Sequence, residues 1–157
     1  MLKRRILIID DDPDINNLFK LFLEHDGYKV NAYTDPLDAL YQFRKNTFDL
    51  VLLDLKMPKM SGMLLYQKLR NIDPNLLFCF ITADKEYIQH LKKSITEIEK
   101  IVIYKPILLS DLRRKVNSLL SEKKSKLLII TWISYLSIYF ILSILYRSWF
   151  IIDCEIV

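Results

Sequence analysis

Four short apolar runs in this chain are each followed directly by side chains that could do chemistry. In chain order, these side chains are Asp10 and Asp11, Asp54, Thr82 and Lys105. The run before Asp54 is typical of a buried strand, where an ionised carboxylate needs partners to offset its loss of water. The other side chains of the set are the candidates for those partners.

The types of these side chains indicate phosphoryl chemistry. Carboxylates that lie close together repel one another, so their ionised forms need a cation. A hard divalent ion held by a few carboxylates and by water is the pattern of Mg²⁺. An ammonium group such as that of Lys105 and a hydroxyl such as that of Thr82 suit the oxygens of a transferring phosphoryl group. Asp54 could then attack phosphorus and form an aspartyl phosphate.

Each of these residues also has an ordinary structural explanation. Asp12, the third acid of the first group, precedes Pro13 and is predicted to cap a helix rather than to bind a metal. Taken alone, Asp54 could be a loop residue, Thr82 a capping residue and Lys105 a solvated strand end. Their joint occurrence at four strand ends favours the functional interpretation.

The elements that must position these residues alternate along the chain. Strands are predicted at residues 6–9, 28–32, 50–53, 76–81 and 101–104. Helices are predicted at about 13–24, 36–43, 63–70, 85–95 and 109–120. This order predicts an α/β domain with a doubly wound parallel sheet. In such sheets ligands bind beyond the carboxyl ends of the strands, where the candidate residues are expected.

The first helix has clear boundary signals. Pro13 stands at the first helical position behind Asp12, and Gly27 provides the stop. Its predicted apolar stripe consists of Ile15, Leu18, Phe19, Phe22 and Leu23. We expect this stripe to face the core.

The composition excludes several classes of protein. The chain has 157 residues, of which 52% are apolar and 27% charged, as in an ordinary globular domain. Two glycines are too few for a glycine-rich nucleotide loop. The net charge of +4 is small and the signs are interspersed, so no nucleic-acid partner is expected. Cys79 and Cys154 have no metal-ligand spacing, and Cys79 is predicted to be buried.

The motifs from about residue 3 to 121 resemble the receiver domain of two-component response regulators. The matching segments are ILIIDDDPDI at the first strand, DLVLLDLKMPKMSG at the third, FITA at the fourth and YKPI at the fifth. The resemblance implies a flavodoxin-like sheet of five parallel strands in the order 2-1-3-4-5.

The resemblance also implies a role for each candidate residue. Asp54 would be the phosphoacceptor, Thr82 would hydrogen-bond the phosphoryl group, and Lys105 would pair with one of its oxygens. The peptide bond from Lys105 to Pro106 would be cis. The implied Mg²⁺ ligands are Asp10, Asp11, Asp54 and the main-chain carbonyl of Lys56.

One position departs from the family pattern. Receivers usually carry Tyr or Phe three residues before the lysine as part of their switch, and here that position is Val102. Tyr104 directly precedes Lys105, and residues two apart share a face of a strand. Tyr104 is therefore the candidate replacement for the usual aromatic side chain.

The chain continues beyond its receiver-like part. The predicted organisation is a receiver domain at 1–122, a basic linker at 123–126, a hydrophobic helix at 127–150 and a short tail at 151–157. Residues 127–146 carry no charge, and a segment of about 20 such residues can cross a bilayer. Bases precede it, which predicts a membrane anchor with the receiver in the cytoplasm. The alternative is a helix that docks on a partner or on a second copy.

The sequence thus predicts a stand-alone receiver that takes a phosphoryl group on Asp54 from a histidine kinase or phosphotransfer protein. Roughly 35 residues follow the receiver, too few for a DNA-binding or catalytic output domain, so a downstream partner protein is expected. Such a protein phosphorylates itself and is at most a weak autophosphatase, not an enzyme with an independent substrate. Whether it forms a homodimer is left open.

Two alternatives remain at this stage. A pseudo-receiver would only bind partner proteins. A phosphatase of the haloacid-dehalogenase type also uses an aspartyl phosphate, but it needs a second Asp two residues after the nucleophile, where this chain has Lys56.

Overall fold

The structure, a computed structural model, describes residues 3–92 and 98–122. Its strands are β1 (Arg5–Ile9), β2 (Lys29–Tyr33), β3 (Leu50–Asp54), β4 (Leu77–Thr82) and β5 (Val102–Tyr104). Its helices are α1 (Pro13–His25), α2 (Pro36–Gln42), α3 (Gly62–Ile72), α4 (Lys85–Leu91) and α5 (109–122), with a 3₁₀ helix at Ile98–Ile101. The predicted linker, hydrophobic helix and tail at 123–157 lie outside the described residues.

The five strands form one parallel sheet in the order β2-β1-β3-β4-β5, which confirms the predicted fold. The central strands are runs of aliphatic residues that are buried on both faces. Leu7 and Val51 enter one core, while Ile6 and Leu52 enter the other. Helices therefore cover the sheet on both sides, as its continuous apolar strands require.

Helix α1 has the predicted ends, but its buried face differs in part from the predicted stripe. The carboxylate of Asp12 accepts the N–H groups of Asp14 and Ile15, and Gly27 has the positive φ of a helix stop. Leu18 is 50% exposed, contrary to expectation. The reason is that the face toward the sheet is formed by Asn16, Phe19 and Leu23.

None of the helices at residues 3–92 and 98–122 combines the length and the apolar character that a bilayer crossing requires. The predicted transmembrane segment lies beyond these residues and stays a prediction.

The register of the sheet brings four strand ends together. Asp54 is the last residue of β3 and Thr82 the last residue of β4, and the two strands pair in parallel. Asp10 directly follows β1, and Lys105 directly follows β5. All four residues therefore emerge at the carboxyl edge of the sheet, where the sequence predicted them.

Candidate functional site

Three carboxylates converge at the carboxyl edge of the sheet. One oxygen each from Asp10, Asp11 and Asp54 lies within 4.8 Å of the other two. Asp10 and Asp54 are buried, with 1% and 4% of their surface exposed, whereas Asp11 faces solvent. Hard oxygen donors at this spacing suit a divalent cation such as Mg²⁺, with Asp11 on its open side.

Lys105 is the base that faces these acids. Its Nζ donates to Asp10 Oδ2 at 2.9 Å and to Asp54 Oδ2 at 2.6 Å. Burial lowers the pKa of Lys105, but the hydrogen bonds to Asp54 and Asp10 outweigh it, so that the pKa is raised overall and the ammonium stays charged. Three ionised carboxylates and one ammonium leave two negative charges, which a divalent cation would balance.

Asp10 is held at some electrostatic cost. Burial raises the pKa of its carboxyl group, and the hydrogen bonds from Lys105 and from the main chain of Asp12 offset part of this effect. The Asp12 N–H donates to Asp10 Oδ1 at 3.0 Å. Both carboxylate oxygens of Asp10 therefore have a donor, although the environment still disfavours its charge.

Asp54 is positioned by the end of β3 and by the turn that follows. The N–H of Lys56 donates to Asp54 Oδ1 at 3.1 Å. The chain then returns so closely that a Cβ on Gly62 would lie 2.0 Å from the main-chain oxygen of Asp54. Any side chain at position 62 would therefore displace the turn beside the phosphoacceptor candidate. The sequence analysis did not identify this contact.

Thr82 is tied to the neighbouring strand end and to α4. Its carbonyl accepts the N–H of Lys105 at 2.9 Å, and its Oγ1 accepts the N–H of Asp84 at 3.1 Å. Asp84 caps α4 and pairs through Oδ2 with Lys56 Nζ at 2.9 Å. Hydrogen bonds thus connect the residues after Asp54 with those after Thr82. Asp84 directly precedes the fourth predicted helix, a position typical of a capping residue. The sequence analysis did not use this signal.

Val102 and Tyr104 lie on the same face of β5, as predicted. Val102 is 5% exposed and belongs to the core cluster against which the partly buried Tyr104 packs. The Nζ of Lys85 lies 5.7 Å from the centre of the Tyr104 ring. The aromatic side chain on this face therefore lies two residues nearer to Lys105 along the chain than in the family pattern.

The structure brings the predicted residues together. Asp11 and Lys105 both lie close enough to Asp54 to share one ion and one phosphoryl group. The peptide bond from Lys105 to Pro106 is cis, as the resemblance implied. The sequence analysis missed Asn16, whose side chain bonds to the main chain of Asp10.

The comparisons with known proteins agree with this geometry. The family model of the response regulator receiver domain matches residues 6–117. The chain is 31% identical to the transcriptional regulatory protein RprY of Bacteroides fragilis over 79% of its own length, and it spans 52% of RprY, about half. It is also 31% identical to the response regulator receiver protein CpdR of Brucella abortus over 64% of its length, and it spans 98% of CpdR.

A solved structure shows the same fold. Response regulator protein TrrA from Thermotoga maritima, in complex with Mg²⁺ and BeF, is 29% identical, with a TM-score of 0.63. The similarity covers 74% of this chain and 98% of that one. The family match extends over most of the sheet and includes every strand end that carries a candidate residue. The chain belongs to the response regulator receiver domain family.

Proposed function

We propose that this protein accepts a phosphoryl group on Asp54 from the phosphohistidine of a histidine kinase or phosphotransfer protein, in a Mg²⁺-dependent relay. The observation that carries the proposal is the cluster of three carboxylates within 4.8 Å of one another, with the Lys105 ammonium bonded to two of them. A binding module without phosphoryl chemistry has no need of this concentration of buried charge.

Asp10, Asp11 and Asp54 would hold the Mg²⁺, together with the main-chain carbonyl of Lys56. The donor set fits the ion because it consists of hard oxygens with one solvent-facing side left for water and substrate. When bound, the ion neutralises negative charge on the phosphoryl oxygens. The TrrA structure, which contains Mg²⁺ and BeF, is a related case that supports this assignment.

The residues of the chain would divide the remaining work. A carboxylate oxygen of Asp54 attacks phosphorus, the bond from phosphorus to the donor imidazole nitrogen breaks, and the imidazole leaves with the electron pair. Lys105 stabilises the developing charge through its ammonium. Thr82 accepts the N–H of Asp84 at its hydroxyl oxygen, so the hydroxyl hydrogen remains available to a phosphoryl oxygen.

The direct test uses a small phosphodonor. The full chain is incubated with acetyl phosphate and Mg²⁺, and the phosphorylated residue is mapped by mass spectrometry. Phosphorylation is expected on Asp54, and Asp54→Asn should abolish it because an amide is not a nucleophile of this kind. Asp49→Asn, at the other end of β3, is the matched control and should retain it. No phosphorylation under conditions that label other receivers would favour the pseudo-receiver.

We also propose that the protein is anchored at the membrane and signals there through a partner protein. The support is the uncharged segment at 127–146, which is long enough to cross a bilayer as a helix. Extraction of membranes with alkaline carbonate tests the anchor, which predicts that the protein stays with the pellet. Recovery in the soluble fraction alone would reject the anchor and leave the phosphoacceptor proposal untouched.

A further inference from the structure

Asn16 is a buried polar residue that the helical periodicity of the sequence would assign to the solvent side. It lies in the first turns of α1, on the face that packs against the sheet, and only 4% of its surface is exposed. Its Nδ2 donates to the main-chain oxygen of Asp10 at 2.6 Å and to that of Tyr33 at 3.1 Å. One amide group therefore ties the end of β1 to the end of β2.

The bond to Asp10 acts on the geometry of the acidic cluster. The carbonyl of Asp10 belongs to the peptide group that joins Asp10 to Asp11, so the bond from Asn16 fixes the orientation of that peptide. The N–H of Asp10 donates to the oxygen of Tyr33 at 3.3 Å, which holds the other side of the same residue. Because Asp11 faces solvent, the position of its carboxylate depends strongly on this backbone.

Packing alone does not explain an asparagine here. Phe19 and Leu23, on the same face of α1, are apolar and buried. Asn is a poorer helix former than Ala or Leu, and within the described part of the chain Asn16 Oδ1 is buried without a hydrogen-bond partner. The side chain thus carries two costs, and what it provides in return is the pair of donors to the strand ends.

We infer that Asn16 is a positioning residue for divalent-cation binding: it orients the peptide between Asp10 and Asp11 so that both carboxylates reach one ion. The inference rests on the proposed metal site. Residues that orient metal ligands from outside the coordination shell change metal affinity by about 10- to 100-fold when they are replaced. Asn16 does so through the backbone rather than through a ligand side chain.

The test measures binding of Mn²⁺, as a spectroscopic substitute for Mg²⁺, to the full chain by electron paramagnetic resonance. Asn16→Ala removes both donors and suits a helix, and the dissociation constant for Mn²⁺ is expected to rise about 10-fold or more. Asn16→Leu fills the volume better and guards against a cavity effect; it should weaken binding as much. Leu23→Ala, on the same face of α1, is the matched control, which should lose stability and keep its Mn²⁺ affinity.

The outcomes distinguish the existence of the metal site from the positioning role of Asn16. If the wild-type chain does not bind Mn²⁺, or if Asp11→Asn binds it as tightly as the wild type, the proposed metal site itself is wrong. If the wild type binds and both Asn16 variants bind within two-fold of it, the site stands and the positioning role is rejected. If Leu23→Ala loses as much Mn²⁺ affinity as the Asn16 variants, general destabilisation explains the effect and the positioning role is again rejected.

Discussion

The two ends of the central strands differ in how their acidic side chains are paired with bases. At the amino ends, Arg4 precedes β1 and Asp49 precedes β3, and Arg4 Nη1 bonds to Asp49 Oδ1 at 2.6 Å. The second oxygen of Asp49 accepts the N–H of Arg5 at 3.0 Å. At the carboxyl ends of the same strands, Asp10 and Asp54 share the single ammonium of Lys105.

The difference teaches which acids belong to the fold and which to a function. The acid at the amino end has a base of its own and a main-chain donor, so its charge is matched within the chain. The three acids at the carboxyl end lie within 4.8 Å of one another, and among the described residues the base paired with them is Lys105. Folding has no use for such an excess of negative charge, which costs stability unless a cation enters.

The largest contrast is expected in cation affinity. Asp11→Asn removes one oxygen charge from the cluster, and we expect the affinity for Mn²⁺ to fall by about 100-fold. Because Asp11 is exposed, its replacement should change the free energy of unfolding by less than about 0.5 kcal/mol. Calorimetric titration with Mn²⁺ measures the first effect and denaturant unfolding the second.

Asp49→Asn provides the comparison at the opposite end of β3. It breaks the bond to Arg4 and should leave the affinity for Mn²⁺ unchanged. Equal losses of affinity in the two variants would mean that the ion responds to the net charge of the domain, and the distinction between the two ends would be wrong.

A second contrast concerns the two bases. Lys105→Met leaves Asp10 and Asp54 close together without their ammonium, and we expect a loss of about 2 kcal/mol in unfolding free energy without divalent ions. Removing one partner of a fully buried pair costs roughly 3–5 kcal/mol, and Lys105 is less buried than that, with 24% of its side chain exposed. Mg²⁺ should restore part of the loss, because it binds only the folded cluster.

The matched change at the amino ends is Arg4→Met. Arg4 and Asp49 are 39% and 24% exposed, so the loss should not exceed about 1 kcal/mol. Mg²⁺ should stabilise Arg4→Met as much as the wild type, because both keep the whole cluster, so the difference between them should not change. Urea unfolding of the wild type and of both variants, with and without Mg²⁺, gives these differences. If Mg²⁺ leaves the loss in Lys105→Met as large as it was without the ion, the idea that a cation can replace the ammonium in the cluster would be wrong.

The position of the candidate residues was predictable because all strands of a parallel sheet run in the same direction, so that their carboxyl ends lie at one edge. Once residues 50–53 are recognised as a buried strand, Asp54 must leave at the same edge as the residues that follow the other strands. Short apolar runs of this kind carry a strong signal. The cluster of Asp10, Asp11, Asp54 and Lys105 could therefore be derived before any distance was known.

The supporting residues could not be derived in the same way. Asn16 is polar and lies beside an apolar stripe, so periodicity assigns it to the solvent side, whereas the sheet contacts place it inside. Leu18 is exposed for the same reason. The ion pair of Lys56 with Asp84 joins two separate turns, and its existence depends on the distance between them. Local pattern contains no information about such contacts.

The last predicted effect is a gain of stability on replacement of Asp10. Burial raises the pKa of this carboxyl group in the folded protein above its unfolded value, which is near 3.9 in model peptides. The folded state therefore binds this proton more tightly, and the group contributes a penalty that appears as the pH rises above the unfolded pKa and persists at neutral pH. Asp10→Asn removes the penalty and should stabilise the fold at pH 7 without divalent ions.

The pH dependence distinguishes this gain from better packing. The advantage of Asp10→Asn should shrink as the pH falls through the raised pKa of the folded wild type, and it should vanish below the unfolded pKa near 3.9. Saturating Mg²⁺ should shrink it too, because the wild type gains binding energy that the variant loses. A gain that is the same at pH 4 and pH 7 would show that the charge of Asp10 is not its source.

Asp49→Asn should instead lose stability at pH 7, since that acid is matched by Arg4. Opposite signs for one substitution at the two ends of neighbouring strands would place the electrostatic strain at the carboxyl edge.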